Sequence, residues 1–162
     1  MNVASYVQTS VNRIAQFNDM CGNLENVDKD SIDLQLNIFW EEVCEMFKAF
    51  DENDDVELLD GAVDSLVVLS GLLLKMEKAG FKVAEAMERI DLNNLSKFVK
   101  IDDPKINEVK QDALSKGYTF EPNYGYGRVV IKDVNGKVRK PSTFKPVEIG
   151  DCAVAGFLKE SV

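Results

Sequence analysis

The chain has 162 residues, 45% of them hydrophobic, and a net charge of −9 from 19 basic and 28 acidic side chains. That is the length of one domain with room for a small appendage, and enough apolar residue for a core. There is no histidine, which excludes Ser-His-Asp triads, Cys-His pairs, HExxH zinc sites and any histidine general base.

The charge is uneven. Residues 1–103 carry 9 basic and 21 acidic side chains, and residues 104–162 carry 10 and 7. Such a balance argues against duplex nucleic acid as a partner. The longest apolar run, Leu66 to Leu74, is too short for a membrane span. The N-terminus lacks the pattern of a signal peptide. Cys21, Cys44 and Cys152 are widely spaced and form no CxxC pair, which reads as reduced thiols in a cytoplasmic protein without a membrane partner.

In chain order, Val3 to about Cys21 predicts a first helix. It carries Val7, Val11, Ile14 and Phe17 on one stripe, with Gly22 as its cap. Asn23 to Asp30 is a polar loop. Ser31 or Asp30 caps a second helix to about Phe50, with the stripe Ile32, Leu36, Phe39, Val43, Phe47 and Phe50. Asp51 to Asp55 is a charged connector. A third helix follows to about Ala79, closed by Gly80, with Val56, Leu59, Val63, Leu66 and Leu73 along one side. Being apolar on most sides after Asp64, it is expected to be the central helix. A fourth helix spans Val83 to Phe98 and is expected to bury Val83, Met87 and Ile90. Short connections between four helices suggest an antiparallel bundle, or a half-bundle that dimerises.

The character then changes. Asp103-Pro104 opens a short fifth helix ending at Gly117, and Tyr118 to Phe120 looks extended. Arg128 to Lys132 and Lys137 to Lys140 flank Asn135-Gly136, a hairpin signal. The expected organisation is a helical part over residues 1–100 and a C-terminal part over 101–162, holding the short helix, a small β-hairpin and a tail.

Acidic residues interrupt the helices that should be most buried. Glu41, Glu42 and Glu45 lie three and four residues apart beside the apolar stripe of the second helix. On the third, Glu57, Asp60 and Asp64 share a stripe that continues as Val67, Gly71 and Leu74. Carboxylates are rarely buried unless paired or bound to a cation. Without histidine, an oxygen-only site for Mg²⁺ or Mn²⁺ is the natural inference, against the plainer reading of a solvated helix face.

Other motifs fail. Asp51-x-Asn53-x-Asp55 has Val56 and Ala62 where a calcium loop needs Gly and Glu. Gly136-Lys137 has Ile131 and Val138 at key positions of a phosphate loop. Tyr124-Gly125-Tyr126-Gly127 lacks a Rossmann context and reads as a flexible turn.

Taken together the pieces resemble the all-α nucleoside triphosphate pyrophosphohydrolases, the MazG-like superfamily, and its phage-type members in particular. Glu41, Glu42 and Glu45 match the family's Glu-Glu-x-x-Glu, and Asp64 its terminal Asp before an apolar run. Where the family often has Glu three residues before that Asp, this chain has Gly61, and Asp60 or Glu57 takes the place. Asn94 and Lys97 look like the Asn-x-x-Lys motif, and Gly136 to Pro141 like the Gly-Lys-x-x-Lys-Pro tail. Gln16-Phe17-Asn18 also has the look of the phage-type members.

The resemblance implies a mainly α fold, a four-helix MazG-like bundle with a small C-terminal β-hairpin appendage. It implies Mg²⁺-dependent cleavage, with Mn²⁺ as a substitute, of a ribo- or deoxynucleoside triphosphate to monophosphate and pyrophosphate. Glu42, Glu45, Asp60 and Asp64 would be metal ligands, and Glu41 and Glu42 catalytic. Asn94, Lys97, Lys137 and Lys140 would bind substrate. Phe17, Asn18, Gln35 or Trp40 would form a base pocket, although Phe17 and Trp40 read more readily as core. A homodimer or homotetramer acting on nucleotide pools, phage-encoded and working in the host cytoplasm, completes the expectation. The competing reading is a MazG-like fold that binds or sequesters a nucleotide or signalling nucleotide without cutting it, with Gly61 as its support.

Overall fold

The structure, a computed structural model, describes residues 3–159. It is mainly helical with one small antiparallel sheet. The elements are α1 (Val3–Met20), α2 (Lys29–Glu52), α3 (Asp55–Lys78), α4 (Val83–Leu95), β1 (Val99–Lys100), α5 (Ile106–Ser115), β2 (Thr119–Asn123) and β3 (Arg128–Lys132). The chain divides into two compact units, Met1–Val83 with Asp151–Val162, and Ala84–Gly150. The expected division lay near residue 100, so nearly all of α4 goes with the C-terminal elements instead of the helices before it.

In the first unit α3 packs on both α2 and α1. The turn between α2 and α3 is only Asn53 and Asp54, because the acidic connector is mostly helical. Asn53 ends α2 in the left-handed conformation at φ 57°, which asparagine tolerates. The Asp54 carboxylate accepts from the backbone N–H groups of Val56 and Glu57 and starts α3. At the other end, α2 begins two or three residues earlier than the sequence suggests. Asp28 caps it, and Ser31 closes a reciprocal capping box.

The buried faces match the expected stripes only in part: Ile32 is buried and Phe39, Val43 and Leu73 are half-buried. The buried residues are Ile32, Gln35 and Ala49 of α2 and Gly61, Ser65, Ser70, Gly71, Leu72 and Lys75 of α3, of which Gly61, Ser65, Gly71 and Lys75 meet α2. Leu36, Phe47, Phe50, Val56, Leu59, Val63 and Leu66 are exposed. The physical reason is the small residues: they let the two backbones approach, and the bulky stripes are left outside. Phe17 and Trp40 are exposed as well, not core. The tail returns to this unit, where Lys82 N–H donates to Cys152 O at 2.9 Å and Phe81 meets Phe157 edge to face.

The second unit has its own core. Val99, Val109, Ala113, Val129 and Ile131 are buried together, flanked by Ile101, Ile106, Tyr118 and Phe120. Its sheet runs β1-β3-β2, with β2 and β3 in register from Thr119–Lys132 to Asn123–Arg128. The hairpin turn is therefore Tyr124–Gly127, not Asn135-Gly136. The latter does reverse the chain, but only an isolated bridge, Lys132 to Val138, follows it. That turn is held by Asp133, whose carboxylate accepts from the N–H groups of Asn135 and Lys137 and pairs with Arg139 at 2.5 Å. Met87 and Ile90 of α4 are exposed, so its expected buried stripe is absent.

Candidate metal centre

The site begins with the register of the α2–α3 hairpin. Lys75 Nζ donates to Ser31 O, Gln35 Nε2 to Val68 O, and Ser65 Oγ meets Met46 Sδ at 3.9 Å. A Cβ on Gly61 would lie 2.9 Å from Met46 Cγ and 3.6 Å from Glu42 O. Gly61 is thus a point of close approach between the helices. A glutamate side chain there would have to enter the helix interface. This register sets Asp64 level with Glu42 and Asp60 beside Met46 and Glu45. Glu57 sits in the first turn of α3, close to its capping residue Asp54.

Glu42 is half-buried, as is Asp64, while Glu41, Glu45 and Asp60 are exposed. The Glu42 carboxyl is pushed above its ordinary value, first by burial, then by the negative charges of Glu45, Asp64, Asp60 and Glu41 in that order. Glu57 is not among the groups acting on it. Among the described residues, none of these five acids pairs with a lysine or arginine. Nor do any three of them bring an oxygen each within 4.8 Å of one another. The donor set, carboxylate oxygens alone from two facing helices, suits a hard divalent cation.

Farther along the same hairpin, two buried amides lie against Gly71. A Cβ on Gly71 would lie 3.2 Å from Gln35 Nε2 and 3.5 Å from Asn18 Nδ2. Asn18 Nδ2 donates to Ile14 O, and Asn23 Nδ2 to Asn18 Oδ1. Gln35 Oε1 accepts no hydrogen bond from the described residues. Asn18 and Gln35 of the expected base pocket therefore both lie beside Gly71, whereas Phe17 and Trp40 stand in solvent.

No family model matches this chain, and no curated protein or solved structure does either.

The remaining expected site residues belong to the second unit. Lys97, just past the end of α4, donates from Nζ to Asn94 Oδ1 in its last turn at 2.8 Å. Lys137 and Lys140 are exposed, and Lys140 Nζ lies 4.7 Å from the centre of the Phe144 ring. What the sequence reading missed is the reason for Gly61. Gly61 and Ser65, four apart on one face of α3, are the available signal of a close helix contact.

Proposed function

We propose that the chain is a Mg²⁺-dependent nucleoside triphosphate pyrophosphohydrolase. The observation that carries the proposal is the set of Glu41, Glu42, Glu45, Asp60 and Asp64 around one hairpin level, none of them paired with a lysine or arginine among the described residues. Like charges held together in a fold are unfavourable without a partner. The order of the acidic motifs along the chain, which resembles the MazG-like superfamily, supports the same reading.

In this proposal Glu42, Glu45, Asp60 and Asp64 hold the metal. The several rotatable bonds of the glutamates let their oxygens close on it without moving the helices. When bound, Mg²⁺ offsets phosphate charge and acidifies water. Glu41, at the edge of the cluster, takes the proton from the attacking water. The water oxygen bonds to the α phosphorus, and the bond from that phosphorus to the bridging oxygen breaks, leaving monophosphate and pyrophosphate. Asn18 and Gln35 read the base by their amide edges. Gly61 no longer favours a binder without activity, because the close contact with Met46 gives it a structural reason.

We also infer that two copies pair through the exposed apolar faces of α2 and α3, completing a four-helix arrangement from two hairpins. Trp40, Phe47, Phe50, Val56 and Leu59 are each more than half exposed in one chain, and apolar side chains gathered on one surface mark interaction sites. Sedimentation should then show a dimer or tetramer.

The test is pyrophosphate release from ribo- and deoxynucleoside triphosphates in Mg²⁺, Mn²⁺ and EDTA. Metal-dependent release with matching monophosphate is expected. A folded protein that releases none from any of them overturns the enzyme reading.

A further inference from the structure

Within the second unit, a cavity of about 510 Å³ opens between the end of α4 and the β2–β3 hairpin. It is lined by Leu95, Phe98, Asn123, Tyr126, Arg128 and Val130. Its volume falls within the roughly 300–1,000 Å³ of small-molecule sites, and its composition fits them, an apolar wall with a few polar groups. Leu95, Phe98 and Val130 supply the wall. Tyr126, 83% exposed at the hairpin turn, stands free at the rim with its ring available for stacking.

Arg128 gives the cavity its chemistry. It is half-buried, and its Nη1 donates to Phe98 O at 3.0 Å, which fixes the guanidinium. Among the described residues it pairs with no carboxylate. Half-buried guanidinium groups beside apolar walls favour an anionic partner, and planar rings stack well against aromatic and guanidinium faces. We propose that this cavity binds a planar aromatic molecule bearing one anionic group, its ring against Phe98 and Tyr126 and its charge on Arg128. An aromatic carboxylate and a nucleoside monophosphate share that chemistry. The site uses none of the acidic residues of the hairpin and does not rest on the pyrophosphohydrolase reading.

The experiment titrates the full chain, in EDTA, with 1-naphthoate, adenosine monophosphate and uncharged 2-naphthol, following amide NMR signals. Saturable shifts at Leu95, Phe98, Asn123 and Val130 are expected with at least one of the two anions, and weaker ones with 2-naphthol. The anion that binds identifies the ligand source. Arg128→Gln should weaken that anion by about tenfold or more, as loss of a charged hydrogen bond does. Tyr126→Ala, at an exposed turn that does not carry the fold, should weaken it by about threefold or more. Asp64→Asn should leave it unchanged. Absence of shifts at these four residues for both anions overturns the proposal, as does equal binding of anions and 2-naphthol. Unchanged affinity in both Arg128→Gln and Tyr126→Ala does the same.

Discussion

Replacing Glu42 by Gln separates a metal centre from a solvated helix face. Glu42 lies three residues from Glu45, and a like-charge pair at that spacing costs about 0.2–0.5 kcal/mol. Its opposition to Asp64 across the hairpin adds a similar amount, so removing the charge should gain about 0.5–1 kcal/mol in the absence of metal. For a unit of this size that corresponds to a Tm about 2–6 °C higher in EDTA, read by far-ultraviolet circular dichroism. Burial and the neighbouring acids raise the Glu42 carboxyl, so the folded chain holds that proton more tightly than the unfolded chain. The Glu42 contribution to stability in EDTA should therefore be fully present below pH 4.5 and be lost as pH rises through the raised value. Glu42→Gln should flatten that slope. Mg²⁺ should reverse the ranking by binding the folded parent more tightly than the variant; saturation at 100 times Kd stabilises by about 2.7 kcal/mol. The reasoning fails if Glu42→Gln melts lower than the parent in EDTA, or if Mg²⁺ raises both by the same amount.

Asp64→Asn should retain the parent's circular dichroism spectrum yet lose pyrophosphate release by about 100-fold or more, measured at saturating Mg²⁺. Gly61→Val should force α2 and α3 apart at Met46 and destabilise the helical unit by about 1–3 kcal/mol in urea unfolding. Asn18→Ala and Gln35→Ala should each narrow the spread of kcat/KM between bases while leaving metal dependence intact, which a substrate panel would show. Asp133 is held below the usual carboxylate range. Its burial acts upward but is outweighed by the N–H groups of Lys137 and Asn135 and by Arg139. Its contribution is therefore present above pH 3.8 and lost as pH falls through the lowered value. Asp133→Asn should lower the Tm of the second unit at neutral pH and abolish that acid limb.

The helices were legible because their boundaries are local chemistry. Gly80 ends the third helix as expected, and the caps Asp28 and Asp54 fall within three residues of the expected helix starts, although the sequence alone singles out neither as a cap. The faces were not. A stripe such as Leu36, Phe47 and Phe50 reads as core by its period alone, but periodicity does not say which neighbour covers it. Here the neighbour of α2 is the small-residue face of α3, which sequence scoring treats as weakly apolar. The acidic pattern was readable as a cluster, and the hairpin register puts Asp60, not Glu57, among the acids acting on Glu42. The strand pairing was misread at Asn135-Gly136 because a strong local turn signal outweighed the longer β2–β3 ladder. Asp133 makes that turn a capped loop, with a carboxylate doing what a second strand would have done.

The hydrogen bond from Lys82 N–H to Cys152 O ties together the two points at which the chain leaves and re-enters the helical unit. Residues 84–150 are thus topologically an insert, carried between neighbouring anchor points by a unit whose own chain is interrupted only there. Closely spaced anchors are what allow a module to be gained, lost or exchanged without disturbing its host. The acidic hairpin and the module with its own core can therefore change at different rates. Joining residue 83 to residue 151 with a short flexible linker would return the helical unit to a continuous chain.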